Sequence, residues 1–146
     1  MPSNQAVSEA GRHLVAAEAL LRGHAAELRE SGRQRWVQVN QRRVEVHTAI
    51  HEWPLRGARL QPDADLVVFV GRGGDVYEFF IATRAEAIKA LDAHMEAWLD
   101  TQPGRERPQT PETDQQTLKR EVAEPWRDRW DLLGRGGRDS AGPARR

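Results

Sequence analysis

Arg42-Arg43-Val44-Glu45-Val46-His47-Thr48-Ala49 alternates apolar and polar side chains with a period of two. This predicts a strand with Val44 and Val46 on one face and Glu45 and His47 on the other. Immediately upstream, Trp36-Val37-Gln38-Val39 alternates in the same way, and Asn40-Gln41 suits a two-residue turn because Asn tolerates positive φ. The implied hairpin sets Val39 against Arg42, Gln38 against Arg43, Val37 against Val44 and Trp36 against Glu45. A carboxylate and an imidazole therefore share one face of a strand, with an indole opposite the carboxylate.

Before the hairpin, Leu14, Ala17, Leu21, Ala25 and Leu28 recur at spacings of three and four, which predicts a helix from Ser8 to about Glu30, closed by Ser31-Gly32. Glu18 falls within that stripe. An unpaired charge there would be costly to bury, so Glu18 either sits at the stripe's edge in water or belongs to a site. After the hairpin, Trp53-Pro54, Gly57 and Pro62-Asp63 make residues 50–64 irregular, and a loop of that length is often functional. Leu66-Val67-Val68-Phe69-Val70 reads as a central strand covered on both faces. Tyr77-Glu78-Phe79-Phe80-Ile81 is its hairpin partner, joined through residues 71–75. Thr83-Arg84-Ala85-Glu86 is a capping box opening a second helix, whose stripe is Ala85, Ile88, Leu91, Met95, Trp98 and Leu99.

The predicted organisation is an α/β core over residues 1–100, a Pro/Gly-rich linker over 101–112, C-terminal helices over 113–134 and a disordered Gly/Arg/Ser/Pro tail over 135–146. Within the third segment, Thr113 to Ala123 reads as a helix. Pro125 suits the first turn of a short one carrying Trp126, Trp130 and Leu133. The two tryptophans need a surface to cover, and the expected surface is the sheet, with a partner's groove as the alternative.

The chain has 146 residues, enough for one domain with a real core, and a formal net charge of zero, so no global basic field drives binding to nucleic acid. Twenty of its 22 basic residues are arginine; arginine suits phosphates, but such a bias more often reflects a GC-rich coding source and is weak evidence for DNA binding. The absence of cysteine excludes disulfides, thiol catalysis and Cys-based metal sites. With no signal-like N-terminus and no long apolar run, a soluble cytoplasmic protein without membrane contact is expected.

The order helix, hairpin, irregular segment, hairpin, helix is similar to the core of the PD-(D/E)XK, or restriction-endonuclease-like, superfamily. The helix text His13-Leu14-Val15-Ala16-Ala17-Glu18-Ala19-Leu20-Leu21-Arg22-Gly23 resembles small bacterial members of that group. So do Val44-Glu45-Val46-His47-Thr48-Ala49, the strands at Leu66–Val70 and Tyr77–Ile81, and the closing Trp126-Arg127-Asp128-Arg129-Trp130-Asp131-Leu132-Leu133. The resemblance spans roughly residues 9 to 133 and rests on short motifs. It implies a central mixed β-sheet of about four or five strands flanked by helices, with a C-terminal helical segment.

In active members of such a family, Asp and Glu on neighbouring strands hold Mg²⁺ while Lys supports the attacking water or the developing phosphate charge. Here the glutamate is Glu45, His47 stands at the lysine position and Trp36 at the expected aspartate position. An indole offers no ligating oxygen. Imidazole is shorter than lysine and only partly protonated at neutral pH, although it acts readily as a base. The expectation is therefore a catalytically inactive nuclease-like domain, with Glu45, His47 and Glu18 as the remnant site. It would serve as a DNA-associated or protein-interaction module with no cofactor. The alternatives are a Mg²⁺-dependent nuclease using Glu18, Glu45 and His47, and a purely structural interaction protein, such as a homodimer joined through Trp126 and Trp130.

On such a scaffold, Arg35, Arg42, Arg43 and Arg56 would face the DNA phosphates, or else form an Arg-rich surface balanced by nearby glutamates. His47 and His51 have the spacing of a zinc-binding helix, but the extended context argues against it. His13, His24 and His94 read as solvent-facing or stripe-edge residues. Gly71-Arg72-Gly73-Gly74 leads into a strand and so fails as a phosphate-cradling loop.

Overall fold

Valine, isoleucine and phenylalanine fill the central strands because branched and aromatic side chains pack well on a pleated surface. In the computed structural model they build a mixed five-stranded sheet in the order β1-β2-β3-β5-β6. The structure describes residues 3–55, 60–73, 75–100 and 116–134. The strands are β1 (Ala26–Ser31), β2 (Gln34–Val39), β3 (Arg42–Thr48), β5 (Leu66–Gly73) and β6 (Val76–Thr83), and a short β4 (Trp53–Leu55) lies between β3 and β5. β3 and β5 run parallel, and the other neighbours are antiparallel. With helix α1 (Asn4–Leu21) and helix α2 (Arg84–Asp100) flanking the sheet, the chain is an α/β protein.

The first hairpin forms in the expected register from Val39↔Arg42 to Val37↔Val44, with Asn40 at φ 55° in its turn. The fourth expected pair, Trp36 with Glu45, is absent, because the ladder ends at Val37↔Val44.

The first helix is shorter than the predicted Ser8 to Glu30. Ser3 caps its start by accepting the Ala6 N–H at 3.1 Å, and the helix stops at Leu21 before Gly23 at φ 92°. The chain then returns as β1, which pairs with β2 from Ala26↔Val39 to Ser31↔Gln34, around Gly32 at φ 61°. The predicted stripe ran through this break. Leu21 is 83% exposed, and the buried face is Gly11, Val15, Ala16 and Ala19. Small residues face the sheet because α1 lies against β3: a Cβ on Gly11 would overlap Thr48 Oγ1.

Two cores result, one on each face. Val15, Ala19, Val37, Val44, Val68 and Ile81 pack beneath α1, whereas Trp53, Leu60, Phe69, Phe80 and Leu91 pack on the α2 side. The capping box of α2 forms as expected, with Thr83 N–H donating to Glu86 at 2.8 Å and Glu86 N–H to Thr83 Oγ1 at 3.1 Å. Its buried stripe is Ala87, Leu91 and Met95. Ala85 and Trp98, both placed in that stripe by spacing, are exposed, and the side chain of Leu99 lies outside the described residues.

The C-terminal segment differs most from expectation. Instead of one helix over 113–123, strand β7 (Gln116–Leu118) pairs antiparallel with β4, and a single turn, α3 (Arg120–Ala123), follows. Pro125 then opens a 3₁₀ turn (Glu124–Trp126), where its missing N–H costs nothing. Beyond it the chain crosses the outer edge of β6. Arg127 bridges to Phe80, and Asp128, at φ 53°, donates its N–H to the Phe79 carbonyl at 2.9 Å. Trp126 stacks on Phe69 on one face, with centroids 5.9 Å apart, and Trp130 meets Phe79 edge-on at 5.2 Å on the other. Both tryptophans thus cover the sheet. The linker at 101–112 and the tail at 135–146 lie outside the described residues. Among the described residues no helix is long and apolar enough to cross a membrane.

Candidate functional site

Where β2 and β3 stop pairing, Gln61 bridges them. Its backbone N–H donates to Glu45 Oε1 at 2.7 Å, and its side-chain Nε2 donates to the Arg35 carbonyl at 2.9 Å, a strand group left without a ladder partner beyond Val37. Arg84, at the start of α2, reaches the Gln61 carbonyl through Nε at 2.9 Å and ties the bridge to the helix. Gln61 comes from the irregular loop, and nothing in the local sequence distinguished it.

Glu45 is only 5% exposed. Its second oxygen lies 2.7 Å from His47 Nε2, so each carboxylate oxygen has a close partner within the protein. The imidazole lies almost flat on Phe69, with centroids 5.8 Å apart at 21°. A buried carboxylate needs such partners to offset lost hydration. Trp36 is 6% exposed and shares the Glu45 face of the sheet. Its Nε1 donates to Gln38 at 3.0 Å, and the Arg43 guanidinium covers its ring at 3.5 Å. The indole is thus held in the sheet by a cation–π contact.

Next to this network opens a cavity of about 860 Å³, lined by Gln5, Ser8, Glu9 and Arg12 of α1, by Leu28, Arg29 and Glu30 of β1, by residues 33–35, and by Glu45, Val46, His47 and Gln61. It joins the first turns of α1 to the gap between β2 and β3. Arg12, Arg33 and Arg35 bring positive charge to it, and Glu9 and Glu30 bring negative charge. Arg35 pairs with Glu30 at 3.4 Å. Burial, followed by the nearby charge of Arg35, lowers the Arg12 pKa from its ordinary value. Glu9 and Glu30 act in the opposite sense, and guanidinium stays protonated at neutral pH, so the cavity presents both signs of charge.

The expected site residues separate into two groups. Glu45 and His47 stand together at the cavity, and Arg35 joins them. Glu18 does not. It pairs with Arg22 at 3.0 Å one turn along α1, and the carboxylate that α1 contributes to the cavity is Glu9. With about a third of its side chain exposed (32%), Glu18 takes the stripe-edge position that the sequence allowed as the alternative to a site. Arg43 is committed to Trp36 and to Gln34, at 3.2 Å, and it does not line the cavity. Arg42 does not line it either, and Arg56 lies outside the described residues. His51 lies beyond the end of β3, where its carbonyl accepts from Arg120 at 3.3 Å.

Among the described residues, no cluster of three or more His, Asp or Glu is arranged to hold a metal ion. Compared with known proteins, the chain matches no family model, no curated protein and no solved structure.

Proposed function

We propose that this chain is a restriction-endonuclease-like domain that does not cleave and that associates with the DNA backbone at the cavity beside Glu45. The observation that carries this reading is the state of Glu45. Its two oxygens are taken by the Gln61 N–H and by His47, and Trp36, which the resemblance sets where a second carboxylate would stand, is a buried indole with no ligating oxygen. A hard divalent cation requires oxygen ligands free to turn toward it. Here the glutamate works as an internal brace between strand and loop. In the mixed-charge lining Arg12, Arg29, Arg33 and Arg35 outnumber Glu9, Glu30 and Glu45, and these arginines are the groups that would contact phosphates.

The test is fluorescence anisotropy of labelled duplex DNA over a range of salt. Affinity falls as salt rises, and Arg12→Ala, Arg33→Ala and Arg35→Ala each reduce the slope of log affinity against log salt by about 1. No binding at low salt overturns the proposal and favours a protein-interaction role.

A further inference from the structure

The two edges of the sheet are treated differently. The outer edge of β6 is met at Phe79 and Phe80 by Arg127 and Asp128, whereas among the described residues no strand or bridge pairs with the outer edge of β1. We infer that β1 is a homodimer interface, in which a second copy of the chain adds its own β1 antiparallel across a two-fold axis at Leu28 and makes one continuous sheet.

The ladder fixes which backbone groups are offered. Ala25 turns both of its groups toward the β2–β3 turn, its carbonyl accepting the Asn40 N–H at 2.9 Å and its N–H donating to Asn40 Oδ1 at 3.2 Å. Because inward and outward groups alternate along an antiparallel strand, Ala26, Leu28 and Glu30 point their N–H and C=O outward. An edge of this kind is a template for another strand.

The side chains select the register. Antiparallel addition of an identical edge keeps each face on its own side only if the two-fold axis passes through a residue. With the axis at Leu28, Leu28 meets its own copy, Ala26 meets Glu30, and Glu27 meets Arg29 on both sides of the axis. Within one chain Glu27 and Arg29 already attract at 2.9 Å, both largely exposed, so the dimer gathers four charges of alternating sign. An axis at Arg29 would oppose two arginines, and one at Glu27 two glutamates. Charged side chains on an edge normally discourage pairing, but in β1 Glu27 and Arg29 are of opposite sign, so in this one register they attract across the axis, and Ala26–Ser31 contains no proline. This inference does not depend on the proposed DNA association.

Two measurements on the full-length protein test it. Sedimentation velocity over a concentration series is expected to show a monomer–dimer equilibrium. Glu27→Arg or Arg29→Glu alone, each turning attractive pairs into repulsive ones, raises the dimer dissociation constant about tenfold. The double exchange Glu27→Arg with Arg29→Glu restores it. Because the chain has no cysteine, Leu28→Cys should form a disulfide-linked dimer on mild oxidation, its copies lying at bridgeable separation. Ser31→Cys, whose copies are far apart in this register, should not. Unchanged thermal unfolding of the monomeric variants confirms that they fold. A protein that stays monomeric at all concentrations, or a dimer indifferent to the charge reversals and not linked by Leu28→Cys, overturns the inference.

Discussion

Gln61 donates its backbone N–H to Glu45 Oε1 at 2.7 Å, joining the loop to the strand at the point where β2 and β3 part. A carboxylate kept for catalysis is usually a burden on the fold, and its removal is neutral or stabilising. One used as a brace behaves in the opposite way. Glu45→Ala leaves the Gln61 N–H buried without an acceptor and is expected to destabilise the protein by about 1–3 kcal/mol in urea unfolding. No loss of stability would mean that Glu45 is not structural.

Helix α1 rests on β3 through a residue that has no side chain. Alanine is a better helix former than glycine by about 1 kcal/mol, yet Gly11→Ala should destabilise, because the new methyl overlaps Thr48 Oγ1. The expected net cost is about 1–3 kcal/mol, in the range for overpacking. Thr48→Ala removes the opposing hydroxyl, which is buried without a hydrogen-bond partner. The double variant should therefore recover part of the loss, because Thr48 Cβ, which alanine retains, also stands 2.9 Å from the new methyl, and thermal melts of the set measure it.

The Trp126–Trp130 segment holds both faces of the sheet and covers the β6 edge. Trp126→Ala and Trp130→Ala are each expected to cost about 3–5 kcal/mol, as for other buried tryptophans. Equal stability of either variant and the wild type in chemical denaturation would show that the segment is not part of the folded unit.

Glu86 sets the acid response of the α2 cap. Burial opposes its ionisation, but hydrogen bonds from Thr83 and the Arg129 guanidinium together outweigh this and hold its pKa below the usual carboxylate value. The folded pKa is thus depressed. Its stabilisation is complete above the ordinary glutamate range and fades as pH falls through the folded pKa. With the carboxylate partly in water, the effect is under about 1 kcal/mol. Glu86→Gln should flatten that part of the stability–pH curve and leave the wild-type shape if Glu86 is not the group responsible.

The sequence made the sheet's centre legible because period-two alternation and apolar runs survive any tertiary context. Leu66–Val70, Tyr77–Ile81 and the Val37–Val44 hairpin all lie where their patterns placed them. β1 was missed because Ala25 and Leu28 continued a helical spacing by coincidence, and the break is made by Gly23, an isolated glycine. β7 was missed because it exists only as a partner for β4. Glu45 and His47 could be paired from spacing alone, whereas Gln61 and Glu9 reach the same cavity from distant segments that no local pattern connects.

The most direct test of the account is a cleavage assay on plasmid and linear DNA in Mg²⁺ and in Mn²⁺, with wild-type protein beside Glu45→Ala. The account predicts intact DNA with both proteins at every metal concentration. Cleavage by the wild type that disappears in Glu45→Ala would contradict it and establish Glu45 as part of a working metal site.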